Sequence, residues 1–453
     1  MGKLTLKQAA LWCGGQVDPK YEDIEFIGAN NDTRLIQPGQ LFIALQGVRD
    51  GHDFIPQAME KGAAAVLCSR QVGDYPAIIV DDPRIALGDI ARQERKRIGC
   101  KVVGITGSVG KSTTKEMVAT VLESTYRTAK TPVNHNNDIG MPMAILAMPE
   151  DTEVAVLEMG MNHFREMAYL SSVAQPDIAV IVNIGSMHIE FLGSMEGIRQ
   201  AKLEILEGMK DDGVVLLNGD DAMLRNLPRQ IEQSITYFGS DVSACAVRYC
   251  DVQEETGALK FDVCVGNQRF PLVMALEGKH FVSDAMAAVA VGLQLNVSPV
   301  RIQEQLNMFR NMAGRQEIYE AGGYTIISDC YNAGPESMAA ALKVLGKRKG
   351  RRIAVLGDML ELGDVTWAEH FRIGRIAAEN AEIVYAYGHN GSRVIGGAIT
   401  GGMKPNAARH FDTHEDLAAA LKRTAKPADT ILFKGSRGMH MERILEMFLK
   451  EEK

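Results

Sequence analysis

Short apolar runs alternate with amphipathic stretches along most of the chain, and their spacing divides it into three blocks. In the first block, strand-like runs at 23–27, 39–45, 64–67 and 77–80 lie between turn residues, and 85–98 has a helical period rich in Arg and Lys. In the second, runs at 101–106, 153–159, 177–184 and 213–218 carry β-branched residues, and each ends in a glycine or polar turn. Buried parallel strands that hand over to helices have this pattern. The stretch 235–276 turns strand-rich, and 281–293 returns to a helical period. The third block repeats the alternation at 324–329, 352–356, 382–387 and 429–433, which predicts a small doubly wound sheet. The expected fold is α/β in three domains, 1–98, 99–312 and 313–453. These are a small N-terminal α/β domain, a central domain on a mostly parallel sheet, and a C-terminal Rossmann-like domain.

Composition narrows the class. With 46% apolar and 23% charged residues, the 453-residue chain has enough apolar material for several cores. No apolar run approaches the roughly 18 residues of a membrane span, and Lys3, Lys7 and Gln8 interrupt the start where a signal peptide would be apolar. Seven cysteines without a CxxC pair give neither a disulfide framework nor a zinc site. A formal charge of −8 offers no general excess of cations for a nucleic-acid partner. A cytoplasmic, monomeric protein is the expectation.

The strongest chemical signal is the segment Val102 to Thr113. An apolar strand runs into Gly107-Ser-Val-Gly-Lys-Ser-Thr113, and a helix is expected over 114–122. Glycine there lets backbone N–H groups approach phosphate oxygens. Lys111 would reach the β and γ phosphates, and the Ser112 hydroxyl would ligate Mg²⁺. The spacing departs from the usual phosphate-loop pattern, because Ile105 stands where its first glycine would be. A glycine-rich turn with a solvated lysine is the plainer reading, and the strand and helix context favours nucleotide binding over it.

Thr106-Gly-Ser-Val-Gly-Lys-Ser-Thr-Thr-Lys-Glu116 resembles the ATP loop of the Mur ligases. Further segments follow in that family's order: Asn134-His-Asn-Asn-Asp-Ile-Gly140, Leu157-Glu-Met-Gly160, Asn183-Ile-Gly-Ser-Met-His188, Ala201-Lys-Leu-Glu204, His280, Gly314-Arg315 and Asp329-Cys-Tyr-Asn-Ala-Gly-Pro-Glu-Ser337. Leu356-Gly-Asp-Met-Leu-Glu-Leu-Gly363 resembles the member that adds the last two residues of the peptide. The resemblance implies ATP-driven amide synthesis through an acyl phosphate, with UDP-N-acetylmuramoyl-tripeptide and D-alanyl-D-alanine as partners and two Mg²⁺ ions as cofactors. It also implies that Asp32, Thr33, Arg34, Gly47, Asp50 and His52 hold the UDP-precursor. ATP would be held by Gly107, Ser108, Val109, Gly110, Lys111, Ser112, Thr113, Asn137, His280, Arg315 and Asp329. Asn332, Pro335, Ser337, Lys434 and Arg437 would face the dipeptide acceptor. Asp284 stands where the family has an asparagine and substitutes for it on the adenine side, while Phe281 replaces another.

Three residues carry the remaining chemistry. Glu158, at a strand end, is a magnesium ligand in this reading and a surface or capping carboxylate in the plainer one. His188 is implied as a ligand of the second Mg²⁺, against a packed or surface imidazole. Lys202 shares a helical apolar stripe with Ile198, Ala201 and Ile205. It is either a snorkelling lysine or, as the resemblance implies, a lysine carbamylated by CO2 near the second metal. Arg315 is a phosphate clamp or a linker arginine. Another ligase of the superfamily (an earlier muramyl ligase or a folylpolyglutamate synthase-like enzyme) is the near alternative. A P-loop switch without amide chemistry is the distant one. Because loop and acceptor region lie in different blocks, the domains must close to react, and Lys111 and Asn332 are expected far apart without ligand.

Overall fold

The computed structural model describes residues 2–227, 231–240 and 244–450. Among them lie three principal sheets and one two-stranded ribbon. In the first sheet, parallel strands Ala29–Asn30, Leu41–Ile43, Ala65–Cys68 and Ala77–Ile79 lie side by side, and Gln16–Val17 pairs antiparallel at the edge. The helix Pro83–Ile98 starts from an Asp82 cap and ends at Gly99, whose φ of 74° suits glycine. Its Ala86, Leu87, Ile90 and Ala91 share one core with Val102, Leu157 and Met159 of the central sheet. Arg95 reaches Asp177 at 3.1 Å and the Ala174 carbonyl at 3.1 Å, so this helix rivets the first sheet to the second.

Nine strands make the central sheet, in the order Gln268–Met274, Ala258–Val265, Val247–Glu255, Ser234–Gly239, Val214–Asn218, Ile178–Ile181, Lys101–Thr106, Val154–Glu158, Thr128–Lys130. Its parallel part is apolar on both faces, because helices cover both sides; Val103, Ile105, Ala155 and Val180 are fully buried. The strand-rich stretch becomes an antiparallel arm of three strands on one edge. Gln16–Val17 and the helix Leu6–Cys13 are elements that the apolar spacing did not reveal.

The third sheet runs Glu317–Ala321, Tyr324–Asp329, Thr430–Lys434, Arg352–Gly357, Ile383–Tyr387, Ala408–Phe411, parallel except for its first strand. The last-formed inner strand, Thr430–Lys434, inserts between the first two parallel ones, so the chain order reverses there. In such sheets a crevice opens at the carboxyl ends beside the reversal. Asp329 and Lys434 are register partners at those ends.

The third unit is closed on the second, contrary to the expected separation. Arg315 donates to Ser112 at 2.7 Å, Ser186 Oγ to Glu336 at 3.0 Å, and Arg348 to Glu277 at 2.6 Å. Lys111 and Asn332 therefore line the same cavity. Charge-assisted hydrogen bonds between the units account for the closure.

Candidate active site between the second and third units

A cavity of about 570 Å³ lies where the carboxyl ends of the two parallel sheets face each other. On the central side the strand Lys101–Thr106 ends in the glycine-rich loop, and the helix Lys111–Glu123 begins at Lys111, three residues earlier than the sequence predicts. Gly110 has a φ of 84°, which turns the chain directly into the helix. No side chain caps that helix, so its first N–H groups and positive dipole end remain for an anion. The amides of Ser108 and Val109 are both taken by Asn183 Oδ1 at 3.0 Å. Those two N–H groups, expected to face phosphate, instead brace the loop, and the anion site narrows to the amides of residues 110–113. Lys111 is half-buried and donates to the carbonyls of Gly107 (2.8 Å) and Ser108 (3.2 Å). Burial lowers its pKa; Glu158 opposes the shift and Arg315 adds to it.

Glu158 ends its strand level with Ile105, is 3% exposed, and accepts from Asn136 Nδ2 at 3.0 Å. Ser112 and Glu158 are hard oxygen donors on one wall, a set that suits Mg²⁺. Asn137, expected beside ATP, lines the cavity but spends its side-chain oxygen on the amides of Ile139 and Gly140. The contact to Glu158 falls to its neighbour Asn136. Asn183 and Asn136 both lie inside segments singled out in the sequence, yet nothing in the spacing marked which asparagine does what.

Asp284 is 4% exposed and lines the cavity, and its Oδ1 accepts from Thr114 Oγ1 at 3.0 Å. A Cβ at Gly110 would stand 2.5 Å from the same atom, so Asp284 underpins the loop. Burial pushes its carboxyl up to about 7. With a folded pKa above the ordinary value, its contribution to stability is full below about pH 4 and fades as pH rises through 7. Asp284→Asn, neutral throughout, is expected to gain on the parent in melting temperature from about pH 5 to about pH 8, by a few degrees. Scanning calorimetry at both pH values checks this; a gap that does not change with pH would contradict it.

Lys202 is 2% exposed, which removes the snorkelling reading. Ile198, Ala201 and Ile205 of the same stripe are completely buried. Among the described residues no hydrogen bond or ion pair holds its amine. Burial and then the charge of Lys111 hold its pKa well below the usual lysine value.

From the third unit, Arg315 lies over the Tyr331 ring at 3.8 Å while it holds Ser112, and is not a free linker arginine. Asp329 accepts from Lys434 at 2.6 Å, and Lys434, 2% exposed, also donates to the Asn332 carbonyl at 2.9 Å. Pro335 begins a helix, and Ser337 caps it through Gly334. Arg437 lines the cavity and pairs with Glu442 at 3.2 Å. His280 is open to the cavity, and the surrounding walls keep its pKa below the ordinary range. His188 lines the same space.

The residues expected at the UDP-precursor lie outside this cavity. Asp32 and Arg34 pair at 2.6 Å, and Thr33 Oγ1 donates to Gln57 at 2.7 Å. His52, 2% exposed, accepts from the Ser69 amide at 3.1 Å through Nε2, so its Nδ1 carries the proton and donates to Asp50 at 2.7 Å. Gly47 sits in the exposed loop before Asp50.

Two mostly parallel sheets meet at a glycine-rich loop, with Lys111 and Glu158 lining the cavity between them, an arrangement of the P-loop nucleotide-binding class. The chain belongs to the Mur ligase family: family models match it at 23–95 (Mur ligase family, catalytic domain), 105–292 (Mur ligase middle domain) and 314–437 (Mur ligase, glutamate ligase domain). It is 40% identical to the UDP-N-acetylmuramoyl-tripeptide–D-alanyl-D-alanine ligase of Bacillus subtilis over 98% of both chains. The crystal structure of MurF from Acinetobacter baumannii superposes with a TM-score of 0.91 at 30% identity, over 100% of both chains. MurF of Thermotoga maritima in complex with ADP matches at a TM-score of 0.82 and 29% identity, over 94% of this chain and 97% of that one. No helix among the described residues is long and apolar enough to cross a membrane.

Proposed function

We propose that the protein is the ATP-dependent ligase that joins D-alanyl-D-alanine to UDP-N-acetylmuramoyl-tripeptide. The observation that carries this is full-length likeness to ligases of that name together with a cavity to which both the loop and the third sheet contribute. The γ-phosphoryl group of ATP passes to the tripeptide's terminal carboxylate, giving an acyl phosphate and ADP. The dipeptide amine then attacks the acyl carbon, and the tetrahedral adduct collapses with loss of phosphate.

Phosphoryl transfer asks for positioned positive charge, and Lys111, the free amides of residues 110–113 and Arg315 supply it. Arg315 leaves Ser112 for a phosphate oxygen, with its plane already set by Tyr331. Ser112 and Glu158 would hold one Mg²⁺, and His188 with a carbamate on Lys202 the second; such ions would supply positive charge for the transferring group. Lys202 is suited to that modification because a neutral buried amine can add to CO2, releasing a proton and leaving an anion where a cation is costly. The Asp329–Lys434–Asn332 group and the helix beginning at Pro335 face the acceptor. Asp32, Thr33, Arg34, Gly47, Asp50 and His52 bind the UDP end, remote from the chemistry.

Purified protein given ATP, Mg²⁺ and the UDP-tripeptide is expected to release phosphate only when D-alanyl-D-alanine is added, with a pentapeptide product by mass. Use of a single amino acid in its place, glutamylation of folate, or hydrolysis indifferent to both substrates would refute the assignment.

A further inference from the structure

The segment Leu356-Gly-Asp-Met-Leu-Glu-Leu-Gly363 stands out in the sequence, yet none of its residues lines the cavity. One of them nevertheless reaches a cavity residue. Glu361 Oε2 lies 2.5 Å from His188 Nδ1, across the cleft and 173 positions along the chain.

Both backbones are in the left-handed region, with φ of 65° at His188 and 63° at Glu361. For residues with a Cβ this conformation is strained and persists where surroundings impose it, often at functional sites. Beside the pair, Gly363 (φ 51°) lets the two loops touch: a Cβ there would be 3.1 Å from Glu190 Cα.

The mount of Glu361 is stiff. Met359 and Leu362 are each 1% exposed, and the amides of Met359 and Leu360 are held by His370 Nε2 (3.0 Å) and Ser436 Oγ (2.9 Å). Ser436 Oγ in turn donates to the Ala333 carbonyl at 3.1 Å, next to Asn332. The carboxylate therefore moves with the acceptor side of the cleft and not independently of it.

An imidazole that donates Nδ1–H to a carboxylate keeps its lone pair on Nε2, and such a partner orients and strengthens a metal-ligating histidine. We infer that Glu361 is a positioning residue: by docking on His188 as the third unit closes, it fixes the tautomer and angle in which Nε2 serves the second cation. Cation binding is thereby tied to the presence of the acceptor domain. The inference rests on the reading of His188 as a cation ligand.

The test uses the full-length enzyme and variants Glu361→Ala, Glu361→Gln and Glu361→Gly. The glycine variant relieves the backbone while removing the carboxylate. All three are expected to lower kcat about 10- to 100-fold and to raise the Mg²⁺ concentration for half-maximal rate, with KM for ATP within about twofold. Glu361→Asp is expected to recover part of the loss. Independently of turnover, the ring ¹⁵N spectrum, assigned against His188→Gln, should show a protonated Nδ1 and a bare Nε2 in the parent with ADP and Mg²⁺. That pattern should be lost in Glu361→Ala, while small-angle scattering stays as compact as the parent. Unchanged kcat and Mg²⁺ dependence in Glu361→Ala, or full activity in Glu361→Gly, would overturn the proposal. So would a parent ring with Nδ1 bare, or an expanded Glu361→Ala whose ring spectrum is unaltered. A parent enzyme that makes no pentapeptide product would instead refute the function on which the inference is built.

Discussion

Lys202→Ala is expected to lower kcat by about 10²- to 10³-fold, the size of effect seen when a fixed electrostatic stabiliser is removed from a water-poor site. The residue sits almost completely enclosed beside Ile198, Ala201 and Ile205, and its amine has no hydrogen-bond or ion-pair partner among the described residues. A cation there gains nothing locally and repels Lys111. A carbamate reverses that sign. If the carbamate is what matters, formate or acetate should enter the space left by the alanine and restore part of the rate in a saturable manner. The parent enzyme depleted of CO2 should slow, and added bicarbonate should revive it. Initial rates against carboxylate concentration measure the effect. A variant as active as the parent, or an inactive one that no small carboxylate helps, would count against the modification.

Lys111→Ala is expected to abolish ligation, with kcat/KM down by about 10³-fold or more, comparable to the loss of a single cationic group that stabilises a transferring phosphoryl group. Its ammonium now rests on the Gly107 and Ser108 carbonyls, a short rotation from any phosphate seated on the free amides of the helix start. Nucleotide affinity should fall as well, because the cation binds the polyphosphate before it assists transfer. Calorimetric titration with ADP and Mg²⁺ separates the two losses. Lys111→Arg is not expected to rescue, since a planar fork cannot occupy a path shaped for a point charge. Retention of ligation in Lys111→Ala would remove the phosphate-loop basis of the mechanism.

How much could be read beforehand depended on how local the cause was. The strands Lys101–Thr106 and Tyr324–Asp329 coincide with their apolar runs, because burial on both faces of their inner residues writes a continuous apolar signal. The helix at Lys111 was misjudged at its start, since glycine-rich sequence reads as loop even when one glycine supplies only the turn into the helix. Among the site residues, Lys111, Glu158 and His188 line one cavity. The contact of Asp284 with the loop was not legible, because its neighbour in space, Gly110, lies far away in sequence. Asn136 and Asn137 differ only in which side chain the turn directs to Glu158 and which to the local amides. Glu361 was beyond reach because its partner, His188, lies 173 positions away and in another unit. Closure itself, set by polar contacts between distant segments, leaves no periodic trace.

The antiparallel arm on the central sheet has a mechanical consequence. Its strand Val247–Glu255 supplies Glu254 to Lys347, and Glu277, just past its last strand, holds Arg348 and the Gln316 side chain. Both lysine and arginine follow the helix Pro335–Gly346, so the far end of that helix is tethered while its near end faces the cavity. A lever pinned at its heel travels by pivoting. Opening to admit substrates would then sweep the Pro335 tip through an arc, with little sliding of one unit over the other, and the dipeptide would return to the same place on each turnover.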